Sequence, residues 1–135
     1  MGRRACVPVR VVLFGVSAGN VLLCKKGGVL RLPETWLEEG GSICGAAKRL
    51  ASEIVEEPSH VKPVAVVWFA ESMEGEYHLV FAVEVFLDTE PKSQSDYILL
   101  EIGDAVKLVD EPLHRQFLML MHVFKPRPLL VCEGP

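Results

Sequence analysis

The feature that most constrains the fold of this chain is an acidic, glycine-containing loop that leads onto a helix. Residues 32–42 read LPETWLEEGGS, and Ser42 is placed as the N-cap of a helix that continues through AAKR at 46–49 to about Glu56. A loop and helix of this kind handle diphosphates through a metal ion, because carboxylates hold Mg²⁺ and the metal neutralises phosphate oxygens. The stretch therefore indicates a scaffold for diphosphate chemistry.

The same stretch resembles the signature of the Nudix hydrolases, which cleave nucleoside diphosphates linked to another moiety. The family pattern is Gly-x5-Glu-x7-Arg-Glu-U-x-Glu-Glu-x-Gly-U, where U is a bulky aliphatic residue. With the pattern aligned on Arg49, the polar residues that remain are Arg49 and Glu53. The family's opening Gly, its first Glu and two of its helix glutamates are replaced by Thr35, Gly41, Leu50 and Ile54, respectively. The surrounding frame is retained in Leu32-Pro33, Leu37-Glu38, Gly40, Ser42 and Ala46-Ala47.

The resemblance implies a Nudix-like α/β/α sandwich, in which a mixed β-sheet is flanked by helices. The predicted elements have the matching order of strands, helix, strands and helix. Turn-forming residues at 17–20, 26–28 and 71–76 and a polar loop at 88–96 separate the apolar segments. The predicted strands cover residues 7–16, 21–25, 29–32, 61–70, 77–87 and 97–100, and the predicted helices cover 42–56 and 111–124.

Length and composition predict a single domain over residues 1–135, because a chain with 50% hydrophobic and 24% charged residues can form one packed core. The net charge is −4, with basic pairs at Arg3-Arg4 and Lys25-Lys26, so a polymeric nucleic acid is not an expected partner. No apolar run approaches the roughly 18 residues that span a bilayer, and the N-terminus lacks signal-peptide features. We therefore expect a cytoplasmic protein without a membrane partner.

The four cysteines show no Cys-x-x-Cys spacing, which argues against a zinc site and against a disulfide framework in a domain with an ample core. The sequence therefore predicts ordinary reduced thiols at Cys6, Cys24, Cys44 and Cys132.

The retained polar residues of the box are the candidate catalytic residues, Glu53 and Arg49. A metal site would use Glu53 with Glu38 and Glu39 from the preceding loop, and would hold Mg²⁺ or Mn²⁺ weakly, since Mg²⁺ requires near-octahedral oxygen coordination. The alternative is structural: Arg49 pairs with Glu53 four residues later on the helix, and the loop carboxylates are solvated.

Two further residues are candidate substrate contacts. Trp36, in the loop before the helix, can stack on a base or line a pocket. Glu84 interrupts the apolar run FAVEVF at 81–86, so its carboxylate must face solvent, a partner or a cleft.

These residues support three hypotheses. The first is a Nudix-fold protein with a degraded metal site that binds a nucleotide or other diphosphate-containing ligand, or a protein partner, with little or no hydrolysis. The second is a Mg²⁺- or Mn²⁺-dependent Nudix pyrophosphohydrolase with a displaced ligand set. The third is a protein-interaction module, in which another subunit covers an apolar surface at Leu50 and Ile54. A homodimer is compatible with all three.

Overall fold

A mixed eight-stranded β-sheet forms the centre of the protein in a computed structural model that describes residues 7–71, 78–93 and 95–132. The strands are β1 (Val9–Ser17), β2 (Asn20–Lys26), β3 (Val29–Arg31), β4 (Glu34–Trp36), β5 (Val61–Glu71), β6 (Leu79–Leu87), β7 (Tyr97–Glu101) and β8 (Leu130–Val131). Their order is β3-β2-β1-β6-β5-β8, while β4 pairs with β1 and β7 with β2. The pair β1 and β6 is parallel and the other pairs are antiparallel.

The central strand β1 is buried on both faces, which explains its continuous apolar sequence. Successive side chains alternate between the two faces. Val11 and Leu13 therefore belong to one core cluster, while Val12 and Phe14 belong to the other.

Helices cover both faces of the sheet. Helix α1 (Ile43–Ile54) packs on the face of Leu13, where Ala47 and Ile54 are buried. Helices α2 (Ile102–Leu108) and α3 (Pro112–Val123) pack on the face of Phe14, where Phe117 is buried. The arrangement confirms the predicted α/β/α sandwich.

Helix α1 begins as predicted, because the Ser42 Oγ accepts a hydrogen bond from the Gly45 backbone N–H at 3.0 Å. A Cβ at Gly45 would lie 2.7 Å from that oxygen, so glycine leaves room for the cap. The helix ends at Ile54, two residues before the predicted end at Glu56, because Val55 is extended and bridges to Pro91.

Four short elements were missed by the sequence prediction, namely the strands β4 and β8, the helix α2 and a 3₁₀ helix at Pro58–His60. The two strands span three and two residues, and each is held by pairing with a distant strand rather than by its own propensity. The predicted turn at 71–76 and the start of the next strand at 77 lie largely outside the described residues. No helix in the described ranges is long and apolar enough to cross a membrane.

A disulfide between Cys44 and Cys132 corrects the prediction that the cysteines are reduced thiols. It joins the first turn of α1 to the residue after β8, across a sequence separation of 88 residues. The pairing was missed because it depends on β8 returning to the edge of β5, which the sequence does not reveal. Cys24 is free and buried, and Cys6 lies outside the described residues.

Candidate ligand-binding site

A polar cluster surrounds Arg10 near the start of β1. Strand β4 runs antiparallel beside it with Trp36 opposite Arg10, so their side chains share one face of the sheet. The Arg10 Nη1 donates to the Glu34 Oε1 at 3.4 Å, its Nη2 lies 3.0 Å from the His78 Nδ1, and its Cζ lies 5.3 Å from the centroid of the Trp36 ring. We call Arg10, Glu34, Trp36, His78 and His114 the Arg10 cluster.

His114 is the buried anchor of the Arg10 cluster, with 3% of its surface exposed. Its Nδ1 accepts a hydrogen bond from the Leu32 backbone N–H at 3.1 Å, so the neutral ring carries its proton on Nε2. That nitrogen lies 3.4 Å from the Glu34 Oε2 and 3.7 Å from the Glu111 Oε2. The ring therefore connects helix α3 to strand β4, as acceptor for the Leu32 N–H and as donor to the Glu34 carboxylate.

Glu34 is held as a carboxylate inside this cluster. The hydrogen bond from His114 lowers its pKa below the ordinary value, and the charges of Arg10 and Arg31 act in the same direction. Burial opposes them by favouring the neutral acid. The partners outweigh the burial, and the net direction of the pKa favours the charged carboxylate beside His114 and Arg10.

Trp36 is the open side of the cluster. Half of its surface, 51%, is exposed, and its ring meets the His78 ring edge-on at a centroid distance of 5.4 Å. Among the described residues, the buried Arg10 Nε has no hydrogen-bond partner. An exposed aromatic face beside a guanidinium can stack on a planar ligand that carries negative charge.

The candidate metal and catalytic residues of the acidic loop and α1, namely Glu38, Glu39, Arg49 and Glu53, are exposed. The Arg49 Nη1 lies 3.6 Å from the Glu38 Oε2, and 50% of the Arg49 side chain and 75% of the Glu38 side chain are accessible. The ion pair recorded for Arg49 within the described ranges is therefore with the loop rather than with Glu53, which corrects the predicted pairing along the helix.

The donor set does not fit a metal site held by the protein. No three His, Cys, Asp or Glu side chains in the described part of the chain are grouped so that they could hold a metal ion. The Glu38 carboxylate already faces the Arg49 guanidinium. Because Mg²⁺ and Mn²⁺ require several oxygen ligands, Glu38, Glu39 and Glu53 do not form a tight site in this arrangement.

The predicted apolar surface at Leu50 and Ile54 is the inner face of α1. Ile54 is 3% exposed and belongs to the core cluster, and Leu50 is half-buried against the same cluster. The helix uses these side chains to pack on the sheet, so they do not form the exposed patch on which the interaction-module hypothesis depended.

Glu84 does face a cleft, which is one of the three environments predicted for it. It lies opposite Phe14 in the parallel pair of β1 and β6, and it lines a cavity of about 530 Å³ on the α3 side of the sheet. Burial raises the pKa of its carboxyl group. Contact between Glu84 and a substrate stays a prediction.

Sequence reasoning did not single out Arg10, Glu34 or His114. Arg10 carried a usable signal, because it interrupts an apolar strand as Glu84 does. Glu34 and His114 carried none, since their roles depend on β4 pairing with β1 and on α3 packing over both strands.

No protein-family model matches the chain, and no curated protein sequence matches it significantly. Solved structures do match. A Nudix hydrolase from Nitrosomonas europaea is 20% identical with a TM-score of 0.70, and the match covers 92% of this chain and 94% of that chain. The C. elegans Ap4A hydrolase is 19% identical with a TM-score of 0.66, over 89% and 99%. A mutator MutT protein from Bacillus halodurans is 18% identical with a TM-score of 0.62, over 84% and 80%.

These likenesses cover most of the chain, and they agree with the α/β/α layers and with the retained frame of the box around Arg49. At 18–20% identity these matches show a shared fold and do not show a shared activity. The protein has the Nudix fold.

Proposed function

We propose that this Nudix-fold protein binds a nucleotide or another diphosphate-containing small molecule and hydrolyses it slowly or not at all. The observation that carries the proposal is the exposed Trp36 ring beside Arg10. A nucleotide base stacked on an aromatic side chain gains about 1–3 kcal/mol without sequence-specific hydrogen bonds.

Arg49 is the proposed phosphate contact, through its position beside the loop that follows Trp36. Glu38 follows Trp36 by two residues, at most about 7 Å of extended chain, and its carboxylate lies 3.6 Å from Arg49. Exposed ion pairs of this kind contribute little to stability, so a phosphate can replace Glu38 as the partner of Arg49. Arginine suits this role because its guanidinium binds phosphate oxygens through two parallel hydrogen bonds.

The arrangement of the acidic residues supports slow hydrolysis or none. Fast metal-dependent cleavage of a diphosphate needs a metal ion fixed against the phosphate oxygens, and the donors on α1 and its loop do not form such a site. We expect any Mg²⁺ or Mn²⁺ to bind weakly.

Isothermal titration calorimetry with nucleoside triphosphates, sugar nucleotides and dinucleoside polyphosphates tests the binding. We expect Trp36→Leu to weaken the best ligand at least tenfold. Phe86→Leu is a matched control, because Phe86 has the same exposure, 50%, and lies opposite Val16 at the other end of β1. Equal affinities of the wild type and Trp36→Leu would overturn the assignment of the site.

A hydrolase with a displaced ligand set is the second candidate, favoured by the exposure of Glu53 on α1. Phosphate release from the same compounds with Mg²⁺ or Mn²⁺ distinguishes the two functions. We expect no sustained turnover by the wild type. Turnover that Glu53→Gln abolishes would establish the hydrolase, and binding without turnover supports a binding protein.

The cytoplasmic location and the homodimer stay predictions from the sequence. The Cys44–Cys132 disulfide argues against a cytoplasmic location, because structural disulfides persist mainly in oxidising compartments. Thiol labelling of the native protein in each cell fraction tests the location, and light scattering tests the dimer.

A further inference from the structure

We infer that the cavity around Glu84 is a second small-molecule site, which takes an apolar compound bearing one ammonium group, such as a protonated alkyl or aryl amine. The inference does not rest on the proposed nucleotide site, since it concerns a different set of residues.

The cavity lies between the sheet and the segment that follows α3, residues 125–132, which we call the C-terminal strap. The strap pairs with β5 through Leu130 and Val131, and the Cys132 backbone N–H donates to the Val64 carbonyl oxygen at 2.7 Å. The disulfide from Cys132 to Cys44 fixes its end. One wall of the cavity is therefore a covalently anchored strand rather than a loose terminus.

The lining of the cavity is mostly apolar. Phe14 and Val16 come from β1, Val64 and Val67 from β5, and Met121 from α3. The volume of about 530 Å³ is in the range of small-molecule sites, which combine apolar walls with a few polar groups that orient the ligand. The apolar part of a ligand would displace water from these walls.

The polar group that orients the ligand is Glu84. No hydrogen bond or ion pair joins its carboxylate to another residue of the described ranges, although the side chain is half-buried. A partly buried charge without a partner is costly. Lys125 also lines the cavity, but its ammonium group forms no ion pair with Glu84. A ligand ammonium would supply the missing charge-assisted hydrogen bond, whereas a phosphate or carboxylate would be repelled.

The Glu84 cavity is separate from the Arg10 cluster. In the parallel pair of β1 and β6, Arg10 lies opposite Val80 and Phe14 lies opposite Glu84. Four residues of strand correspond to about 13 Å. A small amine in the cavity and a base on Trp36 therefore contact different side chains, so each can bind without the other.

Methionine methyl NMR with three ligands of equal chain length tests the inference. The probes are hexylammonium, hexanol and hexanoate, added to protein labelled with ¹³C at the methionine methyl groups. We expect hexylammonium to shift the Met121 signal, and we expect the exposed Met119 on the same helix to stay unchanged. Hexanoate should bind at least tenfold more weakly than hexylammonium. Equal affinities of the three compounds would overturn the role of the ammonium group.

Glu84→Gln and Glu90→Gln form the matched pair of variants, because each removes one negative charge and Glu90 is exposed in the loop after β6. We expect Glu84→Gln to lower hexylammonium affinity at least tenfold and Glu90→Gln to change it less than twofold. Lys125→Gln should raise the affinity by removing a competing cation. Unchanged affinity in Glu84→Gln, or an unmoved Met121 signal in the wild type, would overturn the site, whatever the outcome of the nucleotide titrations.

Discussion

Glu34 and Glu84 lie on opposite sides of β1 and face the same layer of helices, yet their surroundings act on them in opposite directions. Glu34 lies opposite Val12, and Glu84 lies opposite Phe14. Glu34 has 21% of its side chain exposed and still has a lowered pKa, because His114 and Arg10 bind it. Glu84 has no such partner among the residues that the structure describes, and burial raises its pKa. Partners rather than depth therefore decide the direction in which the pKa of each carboxyl group moves.

The comparison separates a structural carboxylate from one that is available to a ligand. Glu34 joins β4 to β1 and α3 and so positions Trp36 two residues later. Glu84 has no side-chain partner in the described part of the chain, and it lines a cavity. The two regions should therefore respond differently to substitution, to pH and to amines.

Removal of the disulfide should cause the largest loss of stability. It should alter binding at the Glu84 cavity without altering binding at the Arg10 cluster. The double substitution Cys44→Ser with Cys132→Ser releases a cross-link over 88 residues, which lowers the free energy of unfolding by about 4.6 kcal/mol in the chain-entropy model. Urea denaturation measures the loss. Hexylammonium binding should also weaken, because the C-terminal strap forms one wall of the Glu84 cavity, whereas nucleotide affinity at Trp36 should not change.

Cys24→Ser is the control for the disulfide variant, since Cys24 is free and buried and keeps the cross-link intact. Alkylation under denaturing conditions without prior reduction should leave Cys44 and Cys132 unmodified, and reduction beforehand should add two further alkyl groups to the mass of the chain. A wild type in which all four cysteines are alkylated without reduction would contradict the pairing of Cys44 with Cys132.

His114→Phe should cause the next largest loss of stability. It should also reduce the difference between the pKa values of Glu34 and Glu84, because it removes the main cause of the lowered Glu34 pKa. The substitution leaves the Leu32 N–H without its acceptor and removes the His114 donor from Glu34, which within the described ranges keeps only the long contact with Arg10. Buried groups left unpaired cost roughly 1–3 kcal/mol each, so we expect a loss of about 3 kcal/mol in denaturant titrations. His122→Phe, on the exposed side of the same helix, should change stability by less than about 0.5 kcal/mol. Equal stability of the two variants would contradict the anchoring role of His114.

The layers of the fold were predictable from the sequence because the long elements carry strong local signals. The Ser42 cap, the apolar stripe of α1 and the β-branched run of β1 each specify their own conformation. The resemblance of residues 32–53 to the Nudix box supplied the arrangement of the layers. Short elements such as β4 and β8 could not be predicted, because only their partners make them strands.

The sites were predictable only where one residue broke a local pattern. Glu84 was identified because a carboxylate inside an apolar strand must have a polar environment. Trp36 was identified because it lies in the acidic loop before α1. His114 could not be found, since its partner Leu32 is 82 residues away. Ile54 was assigned to the surface from the family pattern, although its own apolar side chain favoured the core position that it occupies.

Glu34→Gln should have a smaller effect with a defined dependence on pH. Because the folded pKa of Glu34 lies below its ordinary value, its contribution is complete above the ordinary value of about 4.3 and is lost as the pH falls through the folded pKa. The variant should be less stable than the wild type by roughly 1.5–3 kcal/mol at pH 7, and the two should converge in acid. Thermal unfolding between pH 2.5 and 7 measures the difference. A difference that grew in acid would contradict the lowered pKa.

Glu84→Gln should have the smallest effect on stability, and it should stabilise the protein rather than destabilise it. A raised folded pKa means that the wild type loses stability as the pH rises from the ordinary value through the folded one. The amide carries no charge, so the variant should be more stable than the wild type at pH 7, by less than about 1 kcal/mol because water screens a half-buried group. The two should be equally stable near pH 3. Hexylammonium should remove this stability difference at pH 7, because the ammonium group pairs with the wild-type carboxylate. If Glu84→Gln were instead less stable than the wild type at pH 7 without the amine, Glu84 would already have a partner in the protein.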